Sequence, residues 1–204
     1  IQTLKDEGIY DNTVVIYTSD HGCHFRTRNF EYKRSCHENS IKVPLVITGG
    51  AFTGGGKIDD LVSLIDLPAT ILDIAGAEIP DYFMGKSLTD KKGHESVFIQ
   101  ISESQIGRAV RTDRWKYSVS AKNADRAFAD CYTEDFLYDL KNDPYERTNL
   151  IDNPAYSQTK AELRAILLEY MKKAGIITIY GDYENSQIKI YIDNYKTYLE
   201  SQGA

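Results

Sequence analysis

The sequence predicts an α/β fold followed by a small antiparallel sheet with a helix packed on it. Three observations predict it. Two short β-branched runs, Thr13 to Thr18 and Val43 to Thr48, each stop at turn-forming residues, as buried strands do. A helical segment follows the second run. From about Ser96 the texture changes to short strands separated by turns, closed by one long amphipathic helix. The 204 residues are enough to bury a core. The expected division is 1–92 for the α/β part and 93–204 for the antiparallel part.

In chain order, Ile1 to Tyr10 reads as the end of an amphipathic helix already under way, with Ile1, Leu4 and Ile9 on one side. A chain that opens this way, without Met, reads as a fragment of something longer. The run Thr13 to Thr18 lies between Asp11-Asn12 and Ser19-Asp20-His21-Gly22 and is expected to be fully buried in a parallel sheet. About twenty polar, basic residues separate it from the second run, which stops at Gly49-Gly50. A loop of that length inside a compact domain is usually functional. Gly50 to Lys57 resembles a phosphate-binding loop but fails the pattern, because Ala51 replaces the first Gly and Ile58 follows the lysine. A helix is expected from about Leu64 to Ala75, with Asp66 capping its first turn, Pro68 tolerated there and Gly76 ending it.

Strands are expected at Ser96–Ser102, Arg108–Arg111, Trp115–Ser120 and Phe136–Leu140, with a turn at Lys141-Asn142-Asp143-Pro144. A helix over about 154–174 follows, with Asn153 as N-cap, Pro154 at the first position and Gly175 after the end. Its apolar face would carry Leu163, Ile166, Leu167, Tyr170, Met171 and Ala174. Beyond Ile176, Gln187 to Asn194 alternates like a strand, while the last ten residues could be helical.

Composition excludes some functions. A net charge of −6 argues against a general nucleic-acid binder, which needs a basic face. No apolar run reaches the roughly 18 residues of a membrane-spanning helix. Cys23, Cys36 and Cys131 are too scattered for a disulfide framework, so they do not report the redox compartment.

Asp20 and His21 follow the first strand. Side chains at the carboxyl ends of strands converge on crevices where ligands bind. An adjacent carboxylate and imidazole there suit a divalent metal, Asp favouring Ca²⁺ and His tilting toward Mn²⁺ or Zn²⁺. The same pair also fits a helix cap beside a surface histidine. Between His24 and His37 stand Arg26, Arg28, Lys33 and Arg34 against Glu31 alone, an inversion of sign in an acidic protein. Such a segment fits either an anion pocket or a solvated basic loop.

Read together, these strings resemble one family. Asp11-Asn12-Thr13, the apolar run and Ser19-Asp20-His21-Gly22 are similar to a segment of the sulfatases. So is Lys33-Arg34-Ser35-Cys36-His37-Glu38-Asn39-Ser40-Ile41-Lys42-Val43-Pro44-Leu45. Ser63 to Leu72, Met84 to Leu88, Val110 to Tyr117, Leu137-Tyr138-Asp139-Leu140, Asp143-Pro144 and Thr148-Asn149-Leu150 follow in the family's order, over roughly residues 1 to 175.

The resemblance implies an alkaline-phosphatase-like α/β fold with a smaller C-terminal sheet and helix, and a hydrolase of sulfate esters, of a sulfated carbohydrate or an aryl sulfate. It implies that Asp20 and His21 hold a divalent metal, Ca²⁺ first, although His21 departs from the commoner Asn. Lys33 would contact the sulfate and the nucleophile, and His37, His24 and Arg28 would contact substrate. Sulfatases attack sulfur with a formylglycine made in a C/S-x-P-x-R motif. None of the three cysteines lies in such a motif, so the formylglycine is expected in a missing N-terminal part and this chain alone is expected to be inactive. Export to the periplasm or the exterior is expected from the family only, and oligomeric state is unreadable. The rival readings are a phosphodiesterase or phosphatase of the same superfamily, and a non-catalytic glycan-binding module using the fifteen tyrosines and the basic segment.

Overall fold

In the computed structural model the described residues are 1–103, 105–121, 129, 131–175 and the backbone of 187–189. They divide into two compact units: Ile1–Gly22 with Lys42–Val97, and Cys23–Ile41 with Phe98–Ala204. The basic segment that the sequence reading grouped with residues 1–92 thus clusters with the C-terminal sheet.

In the first unit, helix α1 (Gln2–Asp6) leads through a 3-10 turn at Tyr10–Asn12 into strand β1 (Val15–Thr18). Strand β2 (Leu45–Thr48) pairs with it antiparallel, Val15 opposite Thr48 and Thr18 opposite Leu45. This corrects the expectation of a fully buried strand in a parallel sheet. Tyr17 and Val46, partners on one face, are 65% and 59% exposed. Gly49 ends β2 at a φ of 95°, where a Cβ would run into the Thr13 carbonyl; only glycine closes this turn.

Helix α3 (Asp66–Ile74) comes next, after the one-turn helix α2 (Glu38–Ile41) of the other unit. Gly76 follows its last turn at φ 69°, as expected of a left-handed stop. Asp66 does not cap it. It is the first helical residue, and its buried carboxylate turns back to accept the Ser63 N–H at 2.7 Å, the Lys86 N–H at 2.9 Å and His94 Nε2 at 2.9 Å. The side chain is consumed by three loop segments, because an unpaired buried carboxylate would cost several kcal/mol, roughly.

In the second unit, strands β3 (Ser96–Glu103), β4 (Gln105–Thr112), β5 (Trp115–Ala121), β6 (Cys131–Asp139) and β7 (Gln187–Lys189) form one sheet in that order, antiparallel from β4 through β7. The four expected strands are present, with β6 beginning five residues earlier than Phe136. β7 falls inside the run that alternates like a strand; the rest of that run and the last ten residues lie outside the described residues.

Helix α4 (Ser157–Lys173) covers one face of this sheet. The Asn153 side chain accepts the Ala155 N–H at 3.0 Å, so the predicted cap initiates a 3-10 turn, Pro154–Tyr156, that feeds the helix. Leu163, Leu167, Leu168 and Met171 are buried against Ile106, Val110, Tyr117, Val119 and Leu137, with Ile166 and Tyr170 at the margin. Ala174, expected on that face, is exposed. Burying a side chain such as Leu167 stabilises by about 1.5–3 kcal/mol.

The opposite face of the sheet is the informative one. Here β4 and β5 offer small residues, Gly107, Ala109, Ser118 and Ser120, paired across the ladder as Gly107 with Ser120 and Ala109 with Ser118. Alternation of this kind ordinarily marks a solvated face. Instead Cys36 lies on it, buried with Ile99, Ala109, Phe136, Tyr138 and Leu140. A Cβ on Gly107 would meet the Cys36 sulfur at 3.1 Å. The polar face is small because the segment 23–41 lies against it. Among the described residues no helix is long and apolar enough to cross a membrane.

Candidate functional site

The candidate residues fall into two groups, one in each unit. In the first, Asp20 and His21 sit just past the end of β1. Asp20 is exposed, and its Oδ1 accepts the His21 N–H at 3.0 Å, a local turn that throws both side chains to the same side. Asp20 Oδ2 and His21 Nε2 are 3.6 Å apart. His21 Nδ1 lies 2.7 Å from the Gly22 carbonyl oxygen, which can only accept, so Nδ1 carries the hydrogen. In the neutral ring that leaves the lone pair on Nε2, the atom nearer the carboxylate. A hard oxygen and an imidazole lone pair at this separation fit two neighbouring positions of one cation's shell, and a backbone carbonyl fixing the far nitrogen is how metal-binding histidines are commonly oriented. Among the described residues no third His, Cys, Asp or Glu joins them.

The second group lies on segment 23–41. Its entry is tight: the His24 N–H donates to the Tyr32 carbonyl at 2.8 Å, and Phe25 and Arg26 take left-handed φ values of 51° and 61°. Such conformations cost a non-glycine residue roughly 1–2 kcal/mol and persist where surrounding structure imposes them. His24 is fully buried, and neither ring nitrogen has a hydrogen-bond partner among the described residues. Lys33 is half-buried. Its ammonium lies 5.6 Å from the Tyr32 ring centroid and meets no carboxylate among the described residues. By contrast, Arg34 is paired with Glu31 and Glu103.

His37 packs against Phe136 and Tyr138, ring centroids 4.6 and 5.8 Å away, with Nε2 3.5 Å from the Tyr138 hydroxyl and Nδ1 buried without a partner among the described residues. Burial first, then the charges of Arg28 and Lys116, lower its pKa to about 3. His37 is therefore neutral near pH 7 and can donate one N–H without bringing a charge. Arg28 is committed elsewhere. It donates to the Glu146 carbonyl at 2.8 Å and the Tyr145 carbonyl at 2.6 Å, and its guanidinium lies 3.7 Å from the Glu146 carboxylate.

Four participants escaped the sequence reading: Glu38, Arg111, Lys116 and Glu146. Lys116 is 0% exposed and touches Glu38 Oε1 at 2.7 Å and Glu146 Oε1 at 2.6 Å. Arg111 Nε reaches the same Glu38 oxygen at 3.4 Å. Burial alone would raise the Glu38 pKa, but the Lys116 and Arg111 charges outweigh it and hold Glu38 ionised below its usual range. The available signal was the lysine inside the strand run Trp115-Lys116-Tyr117, on the face that alternation assigns to solvent. A charge there marks either water or a buried partner, and the partners lie far along the chain. Next to this network the Cys36 thiol is pushed up to about 12 by burial, which makes it inert at neutral pH.

Comparison with known proteins gives a consistent picture. Residues 27–173 match the family model "N-sulphoglucosamine sulphohydrolase, C-terminal". The chain is 30% identical over 199 residues to arylsulfatase K of Xenopus laevis, covering 89% of this chain and 36% of that protein. It thus spans about a third of the length of the curated relatives it matches. Among solved structures it superposes on a 2-O GAG sulfatase with a TM-score of 0.67 and 29% identity, covering 82% of this chain and 39% of the other. A protein solved in complex with its substrate D-glucosamine-2-N,6-O-disulfate gives a TM-score of 0.67 at 26% identity, covering 84% and 36%.

Proposed function

Because the chain belongs to the sulfatase family, matching its C-terminal part, we propose that the protein it forms part of hydrolyses sulfate esters of a carbohydrate. The observation that carries this reading is the Asp20–His21 pair, with Oδ2 and Nε2 3.6 Å apart and the His21 tautomer set by the Gly22 carbonyl. The residues fit a divalent cation, Ca²⁺ before Mn²⁺ or Zn²⁺, because one ligand is a hard carboxylate and the chain adds no thiolate. Such a cation would supply fixed positive charge to the sulfuryl oxygens.

The chain's own side chains have distinct parts. Lys33, which meets no carboxylate among the described residues, offers an ammonium to a sulfate oxygen and would stabilise charge building on the leaving ester oxygen. His37, neutral at pH 7, donates an N–H to the anion without adding a charge that burial would oppose. Among the described residues His24 keeps two buried nitrogens without partners, a costly state that a polar ligand would relieve. The carbohydrate class is supported by the glucosamine disulfate bound to a relative and by the cationic segment 26–34.

The test is turnover by the full-length protein of a sulfated sugar, an aryl sulfate and the matching aryl phosphate. Sulfate esters should be preferred, and Lys33→Ala should lower kcat about 100-fold or more, or roughly 2–4 kcal/mol of barrier. Preference for the phosphate, or full activity of Lys33→Ala, refutes the reading.

A further inference from the structure

We propose that Glu146, acting through buried Lys116 and Glu38, is a positioning residue that sets where segment 24–38 presents Arg28 and His37 to an anionic substrate. The identity of that anion rests on the sulfatase reading above; the positioning itself rests on the contacts of one unit.

Glu146 lies more than a hundred positions beyond the segment it holds, and it grips both ends. Near the start of the segment, Arg28 donates to the carbonyls of Tyr145 and Glu146, and its guanidinium is 3.7 Å from the Glu146 carboxylate. Near the end, Glu146 Oε2 accepts the Glu38 N–H at 3.0 Å, at the first residue of α2. The other oxygen takes the Lys116 ammonium, which also reaches the Glu38 side chain. His37 immediately precedes Glu38, and its carbonyl accepts the Ser40 N–H at 2.9 Å. With Glu38 held at both its backbone nitrogen and its side chain, the backbone that carries the His37 ring is fixed.

The turn that delivers Glu146 is built for the task. Asp143 Oδ2 accepts the Arg147 and Thr148 N–H groups at 2.7 and 2.8 Å, and the Asp143 carbonyl accepts the Glu146 N–H. This places Glu146 at φ 54°, a left-handed conformation unusual for a long side chain. Its side chain is nevertheless 2% exposed, aimed inward at the lysine. The strings Val110 to Tyr117 and Asp143-Pro144 therefore meet here, one supplying Lys116 and the other the turn before Glu146. Buried ion pairs contribute little net stability relative to apolar packing; their best attested use is to specify one arrangement. The set also holds three cations, Arg28, Arg111 and Lys116, against two carboxylates, Glu38 and Glu146. The excess positive charge lies beside His37, where it suits an anion.

The test uses Glu146→Gln and the double variant Lys116→Met with Glu146→Gln, which removes the buried lysine together with its Glu146 partner and leaves Glu38 to Arg111. In the full-length enzyme, both should raise KM for a sulfate ester by roughly tenfold to a hundredfold, the scale of one charge-assisted hydrogen bond. The double variant should recover the unfolding midpoint without recovering KM. A role confined to stability predicts the opposite: lost folded fraction lowers apparent kcat, leaves KM alone and is repaired in the double variant. That outcome, or a KM within twofold of wild type in either variant, overturns the proposal. If Glu146→Gln does not fold, the double variant decides alone. A second readout needs no turnover: in the chain itself, NMR signals of the His37 ring, which sits against Phe136, should move in the folded double variant. Unmoved signals overturn the positioning role, whereas a wild-type enzyme inert toward every sulfate ester with moved signals sinks the sulfatase reading alone.

Discussion

Asp20–His21 and segment 23–41 are neighbours in sequence and opposites in construction. Asp20 and His21 have orienting contacts within two residues: the His21 amide, the Gly22 carbonyl and Ser19. Segment 23–41 is held from far away, Arg28 by Tyr145 and Glu146, Glu38 by Arg111, Lys116 and Glu146, Cys36 by the small face of the sheet. The first arrangement can form wherever β1 ends. The second exists only if a sheet that begins more than fifty residues downstream has folded. The difference separates side chains whose geometry is local from side chains whose geometry is a property of the whole unit, and mutations should respect it.

The largest effect is expected where the distant anchoring is cut. Lys116→Met leaves Glu38 and Glu146 buried without their common cation and should destabilise the chain by about 3–5 kcal/mol, read as a lower urea midpoint. A cost under about 1 kcal/mol would mean that the segment is not held as described. In the core beneath α4, Leu167→Ala should cost about 2–5 kcal/mol without altering the His37 environment, since it removes packing from the other face of the sheet.

Acid should loosen the anchored segment before the local one. The folded His37 value, about 3, lies below the ordinary value near 6.5, so the unfolded chain binds a proton that the folded chain refuses. The resulting stability is fully present above about pH 6.5 and is lost progressively as pH falls toward 3, by at most about 1.4 kcal/mol per pH unit. Glu38, held below the usual carboxylate range, adds a loss of the same sign at the acid end. The urea midpoint should decline through this window, and His37→Asn should flatten its upper part; an unchanged slope would show that His37 already titrates normally.

Thiol labelling at pH 8 sharpens the contrast with little perturbation. Exposed Cys131 should react readily, whereas Cys36, buried on Gly107, should react only on unfolding. The smallest effect belongs to the local pair. In the absence of metal, Asp20→Asn should change stability by no more than about 0.5 kcal/mol, as exposed substitutions away from special features do. A larger change would mean that Asp20 is tied into the fold as firmly as Glu38.

Much of the fold was legible because the signals were local. The Asn153-Pro154 start, the Gly175 stop and the apolar spacing of Leu163, Leu167 and Met171 announce α4. The place of Asp20 and His21, just past the end of β1, was legible for the same reason. The error over β1 and β2 was also local in origin: a short β-branched run has the same composition in a parallel and an antiparallel pair, and periodicity does not record which neighbour it takes. Asp66 looked like a helix cap because its partners at Lys86 and His94 are twenty or more residues away.

By itself, then, the sequence determined which segments become strands and helices, where the turns fall, and that an Asp-His pair ends the first strand beside a cationic stretch. Tertiary structure alone decided that the polar face of β4 and β5 is buried, that Arg28 is anchored on the Tyr145 and Glu146 carbonyls while Lys33 meets no carboxylate among the described residues, and that Lys116 and Glu146 hold Glu38. The physical reason is the reach of the interactions involved. Backbone propensity and capping act over a few residues, but the partner of a buried charge can lie anywhere along the chain, and burial itself is what makes that partner necessary.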